Sequence, residues 1–442
     1  MALASHLLRY VFTGQAKGAE APFLEWCEVQ WDTQSGRILK LTVLHEHPHE
    51  SDAFRRASHL AMTPAFVNAH THLDLWSEAP IEIRDGESMV TWLQRVNDSR
   101  EEDTAEDVAD RVKASIAYLQ KTGTGTVNDI TQTPETFVQI AEAGLQGTVA
   151  LEYFHPAPWE DDLSPLNPNV LAFYKRWKRY QRFWHEMGES NTLLAGISPH
   201  SPYNVTKKAW QSIHNALKPS VIHSHFAEFQ AELDYFTGKD RTGIDDLHLS
   251  TVQRTFVPSD AFADYLHPDL WKPQDTLPTP LAIIAHGSLL TPKQVQAFYK
   301  GHPHSVLVTC PRSNLFLHAC TMYTDVPYES DMPVILGTDS AMSCDTLDIR
   351  DERLAYMKHH GIEMTAFEGL ELLSLKASKG LGLGADLGSL EIGKLAHASV
   401  WEIPEGASHS AEGVLEAILH PARVPHVQAM ILNGHLKSSS SA

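Results

Sequence analysis

From about residue 64 onward, short β-branched runs alternate with longer amphipathic stretches, the pattern of repeated βα units closing around a parallel sheet. Eight strand candidates end near Asn68, Asp129, Phe154, Ser198, Ser224, Ala285, Thr309 and Thr338. Between the first two, Val108, Val112, Ile116 and Leu119 recur at helical spacing, and Gly123 supplies a C-terminal stop. Lys207 to Leu217, Pro292 to Tyr299 and Ala366 to Leu381 are further helix-length segments. Eight such units predict a (β/α)8 TIM-type barrel over residues 61–385, with its active site where the strands end. The flanks, 1–60 and 386–442, instead hold strand-like pieces such as Arg37 to Val43 and Ala398 to Ile403 between Gly and Pro turns. They predict a small β-sandwich-like domain built from both ends of the chain. Lys239 to Pro280 lacks clear periodicity and reads either as an extended βα loop shaping substrate access or as an ordinary surface excursion.

With 442 residues and 43% hydrophobic content, the chain can bury a large core. A formal charge of -20 at pH 7 would repel nucleic-acid backbones, so a nucleic-acid partner is disfavoured. Cys27, Cys310, Cys320 and Cys344 show neither C-x-x-C spacing nor disulfide-scaffold density, which suits a reducing interior. Arg9 interrupts the short apolar run at the start, and no stretch approaches the roughly 18 apolar residues that span a bilayer. The expectation is a cytoplasmic protein without membrane insertion.

His70-Thr-His72 directly follows the run Pro64 to Ala69, so both imidazoles leave the end of a buried strand toward one side, where neutral rings can grip a metal. At this composition about one or two H-x-H matches arise by chance. His45/His47, His47/His49, His223/His225 and His302/His304 also match, and all but the third lie in polar or Pro-containing segments that read as solvated loops. Company strengthens the pair. His225 follows Ser220 to Ser224 and opens His225-Phe-Ala-Glu228, His286 follows Leu281 to Ala285, and Asp339 follows the apolar run Pro333 to Thr338. A buried, unpaired aspartate is destabilising, and a cation would resolve that cost. Singly, each is more simply a hydrogen-bonded barrel residue or, for Asp339, a helix N-cap. Five together at one barrel face point to a metal site.

At these positions the chain resembles the amidohydrolase superfamily, in particular its branch of amino-heterocycle deaminases and chlorohydrolases. The resemblance covers most of the chain and rests on Pro64 to Leu73, Ser198 to Tyr203, His225 to Glu228, Ala285 to Gly287, Cys310 to Asn314 and Leu336 to Ser340, in the family's order. Cys310-Pro-Arg-Ser-Asn314 and Gly86-Glu-Ser-Met-Val-Thr-Trp92 are most similar to the aminodeoxyfutalosine deaminases of menaquinone biosynthesis. The resemblance implies that His70, His72, His225 and Asp339 hold one divalent metal, with zinc favoured and iron(II) possible. It implies that His286 hydrogen-bonds the water or the developing oxyanion, and that Glu228 shuttles the proton. It implies that His200 contacts substrate and that Arg312 with Asn314 stands at the seventh strand end where the pocket is walled, although a turn-stabilising histidine and a packed structural arginine are competing readings. Arg84 and Trp92, on the loop after the first strand, could meet a carboxylate and an aromatic ring, although surface and core roles compete for them. No lysine stands at the end of the fourth strand candidate, which implies one metal and not two. Gly393-Lys-Leu-Ala-His397 carries histidine where the family usually has aspartate on the return to the β domain. Relatives often form dimers or larger assemblies, so a homo-oligomer is possible.

The expected reaction is hydrolytic deamination of a 6-aminopurine nucleoside-like compound, aminodeoxyfutalosine first. The metal would lower the pKa of its water, Asp339 would receive the proton, and Glu228 would protonate the ring nitrogen and then the leaving amine. Deamination of adenosylhomocysteine, methylthioadenosine or another amino-heterocycle, and dechlorination of a triazine, use the same groups. A barrel that binds a metal or ligand without catalysis would not need Glu228 beside the metal. A purely structural module would purify without stoichiometric metal.

Overall fold

A computed structural model describes residues 2–15, 21–45, 51–154, 168–187, 192–240, 244, 262–272, 279–317, 326–406, 410–424 and 426–438. The N-terminal segment forms β1 (Leu3–Phe12), β2 (Phe23–Asp32), β3 (Ile38–Val43) and β4 (Leu60–Pro64). The barrel strands are β5 (Phe66–Thr71), β6 (Thr124–Thr131), β7 (Gln146–Tyr153), β8 (Leu193–Pro199), β9 (Val221–Phe226), β10 (Leu281–His286), β11 (Ser305–Thr309) and β12 (Val334–Leu336). The C-terminal segment adds β13 (Ala398–Glu402), β14 (Ala429–Leu432) and β15 (His435–Ser438).

Strands β5 to β12 pair in sequence order as one parallel sheet of eight, the TIM-type barrel. They are buried on both faces, as parallel strands covered by helices must be, which is why they read as apolar runs and not as alternation. The seam between β5 and the end of β12 closes through side chains and backbone alike. Asn68 donates to Thr338 Oγ1 at 2.7 Å and accepts from the Thr338 N–H at 3.1 Å, while the Asp339 N–H donates to His70 O at 3.0 Å. Gly337 sits in this seam because a Cβ there would stand 2.7 Å from His70 Cβ.

The helices follow their sequence signals. Ala105–Lys121 starts at a capping box between Thr104 and Asp107 and ends at Thr122, followed by left-handed Gly123. Lys207–Leu217 has Thr206 as its N-cap, and Pro292–Gly301 has proline in its first turn. Most of Lys239 to Pro280 falls outside the described residues. The described part includes a short helix, Phe262–Tyr265, and a 3-10 turn, Pro268–Trp271, whose fully buried Trp271 packs on Trp210, Phe226 and Phe298.

Both chain ends meet in one sheet of seven strands, ordered β15-β14-β13-β4-β1-β2-β3. The run around Pro64 serves two sheets: β4 pairs with β1 and β13, and the chain crosses to the barrel at Ala65, whose N–H donates to His397 O at 3.0 Å. His397 also binds across the junction, with Nε2 2.9 Å from Gly125 O in β6, so the histidine at this position itself ties sheet to barrel. Trp401 fills the same junction, its ring 5.6 Å from Phe66 and its indole N–H donating to Thr63 Oγ1. The C-terminal segment holds a helix as well as strands. Ala411–Ile418, capped by Ser410, packs on Ala366–Glu371, and buried Arg350 donates to Ile418 O at 2.8 Å. Among the described residues, no helix is long and apolar enough to cross a membrane.

Candidate active site

Four barrel strands deliver the chemistry to one end. His70 lies inside β5, His72 just beyond it, His225 inside β9, His286 at the last position of β10, and Asp339 three residues past Leu336 of β12. Two of these sites are conformationally special: His286 and Asp339 both take φ of +64°, and Ala227, just before Glu228, takes +49°. Non-glycine residues in this region are held there by their surroundings, and such positions cluster at functional sites.

The ring nitrogens and one carboxylate oxygen converge. His72 Nε2 and His225 Nε2 are 3.0 Å apart, and Asp339 Oδ1 lies 3.7 Å from His70 Nε2 and 3.6 Å from His72 Nε2. The potential ligand atoms of His70, His72 and His225 all fall within 4.8 Å of one another, as do those of His70, His286 and Asp339. His225 Nδ1 is 2.9 Å from His200 O, so it carries the proton and leaves Nε2 as a bare lone pair. His70 Nε2 and His286 Nε2 are buried with no hydrogen-bond partner. On one zinc ion with Zn–N of about 2.0–2.1 Å, two nitrogens would stand about 3.3 Å apart, so this donor set fits a small divalent cation.

Electrostatics agree with the geometry. Burial, followed by the neighbouring rings, holds His70 well below the ordinary histidine range, and burial with His225 brings His72 to about 3. Burial likewise lowers His225 and His286, so the lone pairs are free at neutral pH. Burial works against the charge of Asp339, yet His286, His72 and the hydroxyls of Ser313 and Ser343 keep it below the usual carboxylate range. Those hydroxyls donate to Asp339 Oδ2 at 2.7 Å each, which turns Oδ1 toward the histidines. Glu228 is different: burial pushes its carboxyl up to about 7. Its Oε1 is 3.7 Å from His286 Nε2, and its backbone N–H is tied to Glu232 Oε2 at 3.0 Å.

The cluster opens into a cavity of about 420 Å³, bordered by His72, His225, Glu228 and Asp339 and walled by Trp92, Tyr153, Phe154, Phe173 and Leu317. His200 lines it, with its ring 4.7 Å from that of Phe154. Trp92 lines it too, anchored through its indole N–H to Ile81 O. Asn314 does not border the cavity and acts one step back: its Oδ1 is 3.0 Å from His286 Nδ1, and its amide donates to Ser288. Arg312 turns away to Asp345 and Glu352, because two carboxylates on that side compete for its guanidinium. Arg84 is exposed on the loop before helix Met89–Asp98 and does not line the cavity.

Several pocket groups are absent from the sequence reading. Glu152 near the end of β7 lines the cavity, is buried, and has Oε1 without a partner. Its signal was present, a carboxylate inside the apolar run Thr148 to Phe154, much as Asp339 stands directly after one. Arg100, in the turn after helix Met89–Asp98, and Arg176, in helix Pro168–Glu186, also border the cavity, and as single cations they carry no local mark. Asp129, two residues before the end of β6, accepts from the Leu73 N–H at 2.8 Å and fixes the chain just after His72.

The profile of the amidohydrolase family matches residues 61–436, spanning the barrel and the returning strands. The chain belongs to the amidohydrolase family. Among relatives of this amidohydrolase is the aminodeoxyfutalosine deaminase of Deinococcus radiodurans, 27% identical over 316 residues, covering 70% of this chain and 69% of the relative. The structure of Helicobacter pylori aminofutalosine deaminase in complex with methylthio-coformycin superimposes with a TM-score of 0.76 at 21% identity, covering 98% of this chain and 99% of that one. An adenosine deaminase from Xanthomonas campestris with bound zinc superimposes with a TM-score of 0.72 at 18% identity, covering 98% and 92%.

Proposed function

We propose that this amidohydrolase is a hydrolytic deaminase of 6-aminopurine nucleosides, that its substrate is aminodeoxyfutalosine, and that it serves menaquinone biosynthesis by the futalosine route in the cytoplasm. The observation that carries the reading is the buried carboxyl of Glu228, 3.7 Å from His286 Nε2 beside the histidine and aspartate cluster, on the wall of a cavity of nucleoside size. The barrel is the catalytic domain, and the terminal sheet supports it. His70, His72, His225 and Asp339 would hold one divalent ion, zinc first, which supplies an acidified water at neutral pH. Asp339, whose Oδ2 is held by the hydroxyls of Ser313 and Ser343, would take the first proton released by the water. Glu228, whose carboxyl burial pushes up, would give its proton to the ring nitrogen, and of the two protons of the attacking water one would reach the departing amine by way of Asp339 and the other would return to Glu228. Asn314 Oδ1 holds the Nδ1–H of neutral His286, so its Nε2 would accept a hydrogen bond from the attacking water and orient it.

The named substrate is supported by the Deinococcus and Helicobacter relatives. The test is ultraviolet absorbance of zinc-loaded protein with aminodeoxyfutalosine, adenosine and adenosylhomocysteine in parallel, with released ammonia quantified. A shift from an adenine to a hypoxanthine spectrum, with aminodeoxyfutalosine strongly preferred, is expected. Preference for another purine would replace the substrate, and no ammonia from any of the three would remove the deaminase reading.

A further inference from the structure

The H-x-H pair His223/His225 in β9 contributes only its second member to the cluster described so far. His223 is fully buried, two residues before His225, and its Nε2 lies 3.0 Å from His70 Nδ1. The two rings are 4.9 Å apart at 67°, an orientation that brings the edge of one toward the other. His70 turns its other nitrogen, Nε2, toward Asp339 Oδ1, and that nitrogen has no hydrogen-bond partner. For Nε2 to offer a lone pair to a metal, the His70 proton must sit on Nδ1, where the available acceptor is His223 Nε2. His223 must then carry its own proton on Nδ1, which is buried and without a partner. An unsatisfied N–H in the barrel interior destabilises the fold, and an apolar ring of the same size would avoid it. Packing alone therefore does not account for this side chain.

We propose that His223 is a positioning residue that fixes the tautomer and ring plane of the metal ligand His70. The inference rests on the metal-site reading above. Its distinguishing consequence is that His223 improves metal binding while weakening the metal-free fold.

The test compares wild-type, H223F and H223Q proteins by zinc competition against a chromogenic chelator, and by thermal unfolding after metal is stripped. Phenylalanine keeps the ring and removes the acceptor, whereas the glutamine side-chain oxygen can still accept from His70. H223F is expected to bind zinc about 10- to 100-fold more weakly, with a metal-free unfolding temperature no lower than wild type, and H223Q is expected to restore most of the affinity. Zinc affinity of H223F equal to wild type, or H223Q as weak as H223F, would overturn the role of His223 while leaving the metal site standing. Failure of the wild-type chain to bind zinc would overturn both. Should H223F not fold, nitrogen-15 NMR of the zinc-loaded wild-type protein decides the same question. A proton on His70 Nδ1 is expected, and an unprotonated Nδ1 refutes the assignment.

Discussion

Replacing Glu228 with glutamine separates the demands of catalysis from those of folding. The side chain is about one-tenth exposed, and burial moves its carboxyl from 4.5 to about 7. That displacement corresponds to about 3 kcal/mol. Below pH 4.5 the group is protonated in both folded and unfolded chains and contributes no difference. Between 4.5 and about 7 the unfolded chain releases a proton that the folded chain retains, so wild-type stability falls as pH rises. Above about 7 the whole cost is present. Glutamine has no charge to bury, so metal-stripped E228Q should be about 1–3 kcal/mol more stable than wild type at pH 8 and indistinguishable at pH 4.5. Activity moves the opposite way. Loss of a positioned acid and base lowers kcat/KM by about 10²- to 10⁴-fold, or about 2.7–5.4 kcal/mol of transition-state stabilisation, with zinc content unchanged. Denaturant unfolding across pH, steady-state kinetics and metal analysis measure all three. Full activity in E228Q, or lower stability than wild type at pH 8, would refute the reasoning.

The barrel seam gives a second prediction: Gly337→Ala should displace His70, costing about 1–3 kcal/mol of stability and weakening zinc binding, and an unchanged unfolding temperature would mean the seam has slack. Glu352, fully buried behind the site and pushed up to about 8 by burial, should make the stability difference between E352Q and wild type grow from pH 4.5 to about 8. On the order of 5 kcal/mol is the upper bound for that difference, and a flat profile would show the group ionises freely. Arg84→Ala should leave kcat/KM unchanged, because Arg84 is exposed and away from the cavity. A rise in KM for an anionic substrate alone would place it at the pocket after all.

How much was legible in the sequence differed by kind of residue. The barrel was readable because each strand is a local object, and Val-, Ile- and Ala-rich runs ending in a polar residue mark buried strands wherever the chain runs. His70, His72, His225, His286 and Asp339 were visible because each interrupts or terminates such a run, where an ordinary packed residue would be apolar. The Pro64 region was harder. One apolar stretch holds two strands, β4 and β5, and only pairing with β1 and β13 separates them.

The sequence by itself determined the alternation of strands and helices and the residue types at the strand ends, because both depend on neighbours a few positions apart. Only the tertiary structure decided which groups meet. Arg312 pairs with Asp345 and Glu352, 33 and 40 residues onward, and Asn314 reaches His286, 28 residues back. His70 leans on His223 across 153 residues. Such partnerships depend on how the barrel closes, and closure is a sum over eight strands that no local window contains.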